Sequence, residues 1–160
     1  MQIEQQFLEA IQANQGIIRK LAGIYAQHEE DKKDLYQEIL LQAWKAFPKF
    51  RGDSKFSTWL YKVSLNTILT ASRKKNKETY REQIDDHITD TGSSGLAMED
   101  RQMIGMAMNQ LSDIDKALIS LHLDGYSNPE IADILGISLN HTGVKLHRIK
   151  QVMTKKMQAL

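Results

Sequence analysis

A chain of 160 residues, 41% of them hydrophobic, with two prolines and no sustained β-branched alternation, has the apolar content for one or two small all-helical units. Cysteine is absent, which excludes disulfides and thiolate metal sites; no apolar leader and no run of membrane-spanning length is present, so a cytoplasmic protein is expected. The net charge of +1 conceals a segregation: eight basic residues against Asp53 from Lys49 to Lys77, seven acids against Arg81 from Glu78 to Asp100, and five bases without an acid from Gly143 onward.

Taken in chain order, Asp34 to Phe47 is an uninterrupted helical segment. Leu35, Ile39, Ala43 and Ala46 form its apolar face, while Asp34, Gln37, Glu38, Leu41 and Lys45 fall elsewhere, a mixture on which a partner helix can dock. Phe50-Arg51-Gly52-Asp53-Ser54-Lys55-Phe56 reads as a loop, with Gly52 permitting a turn and an aromatic at each end. Ser57 is placed to cap a helix from Thr58 to about Lys75, with Leu60, Val63, Thr67 and Ala71 predicted on the core side. Trp59, Lys62, Asn66, Thr70 and Arg73 share a neighbouring arc. An indole, an amide and cations on one stripe can stack an unpaired base, bond its edge and hold its phosphates.

Residues 77–97 are acidic and include Thr89-Asp90-Thr91-Gly92-Ser93-Ser94-Gly95, which predicts a flexible linker between an N-terminal domain over 1–76 and a C-terminal domain over 98–160. In the second domain, Ser127-Asn128-Pro129-Glu130 has the residues of a capping box, and Ile131, Ala132, Ile134 and Leu135 give a short helix stopped by Gly136. Ser138 then caps a helix whose core face is Thr142, Leu146, Ile149 and Met153. Asn140, His141, Val144, Lys145, Arg148 and Lys150 remain on its other surfaces. Two short helices around a tight turn, the second carrying only positive charges, form the pattern of a helix-turn-helix that reads duplex DNA.

The motifs Asp34-Leu35-Tyr36-Gln37-Glu38 with Trp44 and Phe47, Phe56-Ser57-Thr58-Trp59-Leu60-Tyr61-Lys62-Val63 with Asn66 and Arg73, and Leu111-Ser112 leading to Gly125-Tyr126-Ser127 and Glu130-Ile131-Ala132 occur in the order seen in one family. Over nearly its whole length the chain resembles a bacterial extracytoplasmic-function sigma factor. The resemblance implies a transcription initiation factor of two helical domains. Asp34, Leu35, Gln37, Glu38 and Trp44 would bind core RNA polymerase; Phe56, Trp59, Lys62, Asn66 and Arg73, with the loop before them, would capture the melted minus-ten element. The helix-turn-helix, through Asn140, His141, Val144, Lys145, Arg148 and Lys150, would read the minus-thirty-five duplex. An anti-sigma protein is a further partner common in the family, and a monomer is expected when the protein is free.

The chain departs from the family pattern at Leu65 and Thr70, and at Asn140-His141-Thr142-Gly143-Val144-Lys145, where members commonly read Gly-Thr-Val-Lys-Ser-Arg. Base preference is therefore not transferable. The rival reading is a stand-alone operator-binding regulator, which accounts for Ser127 to Lys150 but not for the earlier motifs. An enzyme is not expected, nor a metal or cofactor: His141 and His147 are six apart, a poor helical spacing for one ion, and no nucleophile-base set or phosphate-binding glycine loop is present.

Overall fold

The computed structural model describes residues 2–78 and 105–159, and all regular structure among them is helical. The chain divides into two compact units, Met1–Gln83 and Ile84–Leu160. Apart from its first two positions, which belong to a helix, the expected linker over 77–97 lies outside the described residues.

The first unit holds α1 (Gln2–Ala13), α2 (Gln15–Tyr25), α3 (Glu29–Ala46), a 3-10 turn (Phe47–Lys49) and α4 (Phe56–Glu78). Helices α2, α3 and α4 pack against one another. Ile18 and Leu21 from α2, Ile39 and Ala43 from α3, and Leu60, Tyr61, Leu65 and Ile68 from α4 form their common core. Each large aliphatic buried there contributes roughly 1.5–3 kcal/mol. Helix α1 joins through Phe7 and Ile11, its two buried residues. Asn14 ends α1, its Nδ2 donating to the Ala10 carbonyl at 2.8 Å, so the chain turns into α2 with one intervening residue.

Helix α3 begins five residues before Asp34, because Glu29, Glu30 and Asp31 fill a first turn where the helix dipole favours carboxylates. Ile39 and Ala43 are buried as the apolar periodicity requires, with Leu35 and Ala46 half-buried beside them.

Helix α4 differs from the predicted one in two respects. It starts at Phe56: the Trp59 N–H donates to the Lys55 carbonyl at 3.1 Å, so Lys55 takes the capping place and Ser57 lies inside the first turn. Its core face is also rotated. Leu60, Tyr61, Ser64, Leu65 and Ile68 are buried, whereas Val63 and Thr67 are half-buried and Ala71 is exposed. Apolarity alone misplaces this face because two polar residues line it. Ser64, fully buried, is small enough for close helix approach, and Tyr61 buries its ring while its hydroxyl accepts a hydrogen bond from the Lys20 ammonium. That ammonium also lies 5.0 Å from the centre of the Tyr61 ring, so one cation ties α2 to α4 twice.

In the second unit residues 105–109 are helical and precede α5 (Asp113–Leu123), α6 (Asn128–Leu135) and α7 (Leu139–Ala159). These three pack mutually around Leu118, Leu121, Ile131, Ile134, Leu146 and Ile149. Ser112 caps α5, its Oγ accepting from the Asp115 N–H at 3.3 Å. Gly125, at φ 92°, lets the chain leave α5 while the Tyr126 N–H returns to the Leu121 carbonyl at 3.1 Å.

The capping box on α6 is formed in full. Ser127 Oγ accepts from the Glu130 N–H at 3.3 Å, and Glu130 Oε1 accepts from the Ser127 N–H at 3.0 Å. Gly136, at φ 68°, stops the helix, and the Ile137 N–H bonds the Ala132 carbonyl at 3.1 Å. Two residues later Ser138 opens α7: its Oγ accepts from the His141 N–H at 3.1 Å, and its carbonyl accepts from the Thr142 hydroxyl at 2.9 Å. Thr142, Leu146 and Ile149 are buried and Met153 half-buried, the face anticipated from their spacing.

Candidate nucleic-acid interface

Burying Thr142, Leu146 and Ile149 fixes which surface α7 presents. Asn140, His141, Val144, Arg148 and Lys150 are exposed. With about 100° per residue, Asn140, Val144, His147 and Gln151 form the stripe opposite the core, flanked by His141 and Arg148. His147 was not among the sequence-derived candidates, although its place three residues after Val144 and seven after Asn140 would have put it there. Asn140, Val144 and His147, together with Asn128, Leu139 and Gly143, line a shallow concavity at the start of α7. Leu139 and Val144, 54% and 51% exposed, make its rim apolar. An amide beside exposed aliphatic groups matches the edge of an A·T pair, where adenine offers a donor and acceptor and thymine a methyl.

Lys145 is placed differently from the other candidates. It is half-buried, and its Nζ lies 3.4 Å from Asp115 Oδ1 on α5.

In the first unit the four phenylalanines and both tryptophans of the chain make one connected set. Phe47, Phe50, Phe56 and Trp59 all contact one another, at ring-centre separations from 5.2 to 6.2 Å. Phe7 stacks edge-on against both Phe47, at 5.2 Å, and Trp44, at 5.1 Å. This cluster closes the base of the 50–56 loop, whose tip turns at Gly52 with φ 77°. The two loop aromatics are therefore anchors, and residues 51–55 between them are exposed.

Trp59 and Phe56 are half-buried in this cluster, so neither stands free as a stacking platform. Lys62, Asn66, Thr70 and Arg73 are exposed along the adjoining arc of α4. Hydrogen-bond donors and cations thus run along the helix away from an aromatic-walled loop.

The outward face of α3 carries Asp34, Gln37, Glu38, Leu41, Trp44 and Lys45, all exposed. Glu38 Oε1 accepts from Gln42 Nε2 at 3.0 Å, which holds that carboxylate along the helix. Leu35 lies on the inner flank, half-buried, and supports α3 from beneath. Leu41 and Trp44 are 46% and 38% exposed, and an exposed leucine and tryptophan one turn apart beside carboxylates make this face amphipathic. Among the described residues no group of side chains could hold a metal ion.

Comparison with known proteins agrees with this arrangement. Residues 10–78 match the family Sigma-70 region 2, and residues 101–153 match Sigma-70, region 4. The ECF RNA polymerase sigma-E factor of Haemophilus influenzae is 25% identical over 157 residues, an alignment covering 88% of this chain and 83% of that protein. The protein of the same description from Escherichia coli K12 is 27% identical over 157 residues, covering 88% and 82%. Among solved structures, the sigma factor RpoE in complex with the anti-sigma factor NepR from Bartonella quintana has a TM-score of 0.70 at 22% identity, covering 97% of this chain and 96% of that one. CnrH in complex with the cytosolic domain of CnrY has a TM-score of 0.68 at 20% identity, covering 98% and 90%; these two likenesses concern the fold.

A region 2 unit followed by a region 4 helix-turn-helix defines a promoter-recognising sigma factor of RNA polymerase. The chain belongs to the sigma-70 family, in its extracytoplasmic-function group. The operator-binding alternative gives way to this, because it assigns unit one no counterpart of region 2.

Proposed function

We propose a residue-level division of labour for this sigma factor. The outward stripe of α3, with Asp34, Gln37, Glu38, Leu41 and Trp44, docks on core polymerase; Leu35 sets the height of the stripe. Lys62, Asn66 and Arg73 hold the melted minus-ten strand, with one base admitted to the 50–56 loop that Phe56 and Trp59 wall. Asn140, His141, Val144, Arg148 and Lys150 meet the minus-thirty-five duplex, the cations on phosphates and the amide and valine on base edges.

The observation that carries this reading is the α3 stripe. A 38% exposed tryptophan and a 46% exposed leucine sit among acids on a helix whose other face is core. Unstacking a base costs a few kcal/mol, so strand capture is productive only while polymerase holds the duplex in place. Docking therefore precedes melting, and the protein alone binds promoters weakly. The protein acts as a non-enzymatic factor in the cytoplasm, where polymerase and chromosome meet; among the described residues no helix is long and apolar enough to cross a membrane. Both solved relatives are bound to an anti-sigma factor or a cytosolic partner domain. That supports a protein inhibitor for this chain too, one that competes for the α3 stripe or the α7 face.

The test is binding of the full chain to bacterial core polymerase, with Asp34→Lys and Glu38→Lys together as the control, followed by transcription from a genomic promoter library. Binding that the reversals abolish, with a shared promoter pair among the transcribed fragments, is the expected result. Unimpaired binding by the double reversal would remove α3 as the docking face.

A further inference from the structure

Of the six residues that the sequence assigns to the duplex face, Lys145 alone is tied to another helix. We propose that Lys145 is a positioning residue, which sets the roll of α7 through Asp115, and not a phosphate contact. This rests on the reading of α7 as the duplex-binding helix.

The geometry supports it at three levels. Successive helical residues are rotated by about 100°, so Lys145 leaves the axis well away from Val144, on the flank that faces α5. Its Nζ reaches Asp115 Oδ1 at 3.4 Å, and the two side chains are 29% and 26% exposed. Asp115 lies in the first turn of α5, where the free N–H groups favour a carboxylate, and its own N–H is held by Ser112 Oγ at 3.3 Å. The acceptor therefore belongs to a capped, rigid turn.

The bridge also supplies something the core does not. Thr142, Leu146 and Ile149, the buried face of a helix packed against both α5 and α6, set its depth and broad orientation through apolar packing, which is not directional. A polar link on one flank fixes the roll, and with it the angle at which Asn140 and Val144 meet base edges. Were Lys145 instead to swing onto a phosphate, it would leave the Asp115 carboxylate unpaired beside a polyanion.

Salt dependence separates the two roles, because each phosphate contact adds about 0.9 to the slope of log affinity against log salt. The full chain is measured on a duplex that it selects from a random library, over a low-salt range in which its weak binding without polymerase is strengthened, so that polymerase binding plays no part. Lys145→Gln and Asp115→Asn should each weaken binding about two- to fivefold, the range of a partly exposed pair, with the slope unchanged. The double variant should be no weaker than either single one. Arg148→Gln, the phosphate control, should lower the slope by about 0.9.

A slope lowered by Lys145→Gln, or tighter binding by Asp115→Asn through relief of repulsion, would overturn the proposal. An unchanged slope in Arg148→Gln would count against the duplex face itself, while the Lys145–Asp115 cycle would still report whether the two residues act as one. Thermal unfolding of each variant checks that the unit stays folded, and Lys145→Arg, which can keep the bridge, should restore affinity.

Discussion

Gly143→Ala should make the second unit more stable. Gly143 lies inside α7, within the turn that follows the Ser138 cap, and it does not have a positive φ. A methyl group built there meets only Asn128 Nδ2, at 3.8 Å, an ordinary van der Waals contact. Glycine in a helix interior costs about 1 kcal/mol relative to alanine, chiefly through the greater freedom of the unfolded chain. Since no clash offsets this, nearly the whole amount should appear as added stability. For a unit of this size that raises Tm by about 4–8 °C. Thermal unfolding of the full chain, followed by far-ultraviolet circular dichroism, would read the shift in the transition belonging to the second unit. A Tm that falls or stays put would refute the reasoning, since it would mean that α7 is strained around position 143 or that the methyl displaces Asn128. Promoter affinity that drops while Tm rises would place DNA backbone against Gly143.

Phe47 contacts four other aromatic rings, so Phe47→Ala should destabilise the first unit by about 2–3 kcal/mol, below the range for a fully buried ring because Phe47 is only half-buried. It should also reduce promoter opening, read by permanganate reactivity of unpaired thymines, whereas Asn66→Ala should reduce opening with Tm unchanged; equal Tm for both variants would detach the loop from the cluster. Lys116 is 8% exposed, and burial pushes its ammonium below the ordinary 10.5, partly opposed by Asp113. In the window beneath 10.5 the unfolded chain then holds the proton more often than the folded one, so the native protein gains stability as pH rises towards 10.5. Lys116→Met, which keeps the stem and drops the charge, should raise Tm at neutral pH and lose that part of the pH slope; a variant that melts lower at neutral pH would show that the Asp113 attraction outweighs burial.

How far the sequence could be read depended on whether a local rule or a tertiary contact decided each feature. The α6 and α7 boundaries rest on Ser127, Glu130, Gly136 and Ser138, residues whose own backbone bonds make the turns, and these were legible. Helix α3 was legible in its core face but not in its start, because charged residues at a first turn carry no apolar period. Helix α4 misled at both ends of the argument. Ser57 has the chemistry of a cap, yet Phe56 is drawn into the helix by its rings of neighbours, and the buried Ser64 and Tyr61 do not register as core when only apolar residues are counted. For the candidate sites, residue type and helical spacing indicated what is exposed at Asn66, Arg73, Asn140 and Val144. They did not indicate that Lys145 is engaged within the protein, since its partner lies on another element.

The aromatic set has an optical consequence. Every tryptophan and phenylalanine of the chain lies in the first unit, and from Ile84 onward Tyr126 is the one remaining aromatic of the phenylalanine, tyrosine and tryptophan kind. Indole emission therefore reports one half of the molecule with no engineered label: it is sensitive to the exposed face of α3 through Trp44 and to the surroundings of the 50–56 loop through Trp59. The helix-turn-helix is dark at the same wavelengths. Quenching or spectral shift on addition of single-stranded DNA, which carries no indole, can be assigned to the first unit by composition alone, and a tryptophan introduced on α7 would give the second unit a separate signal.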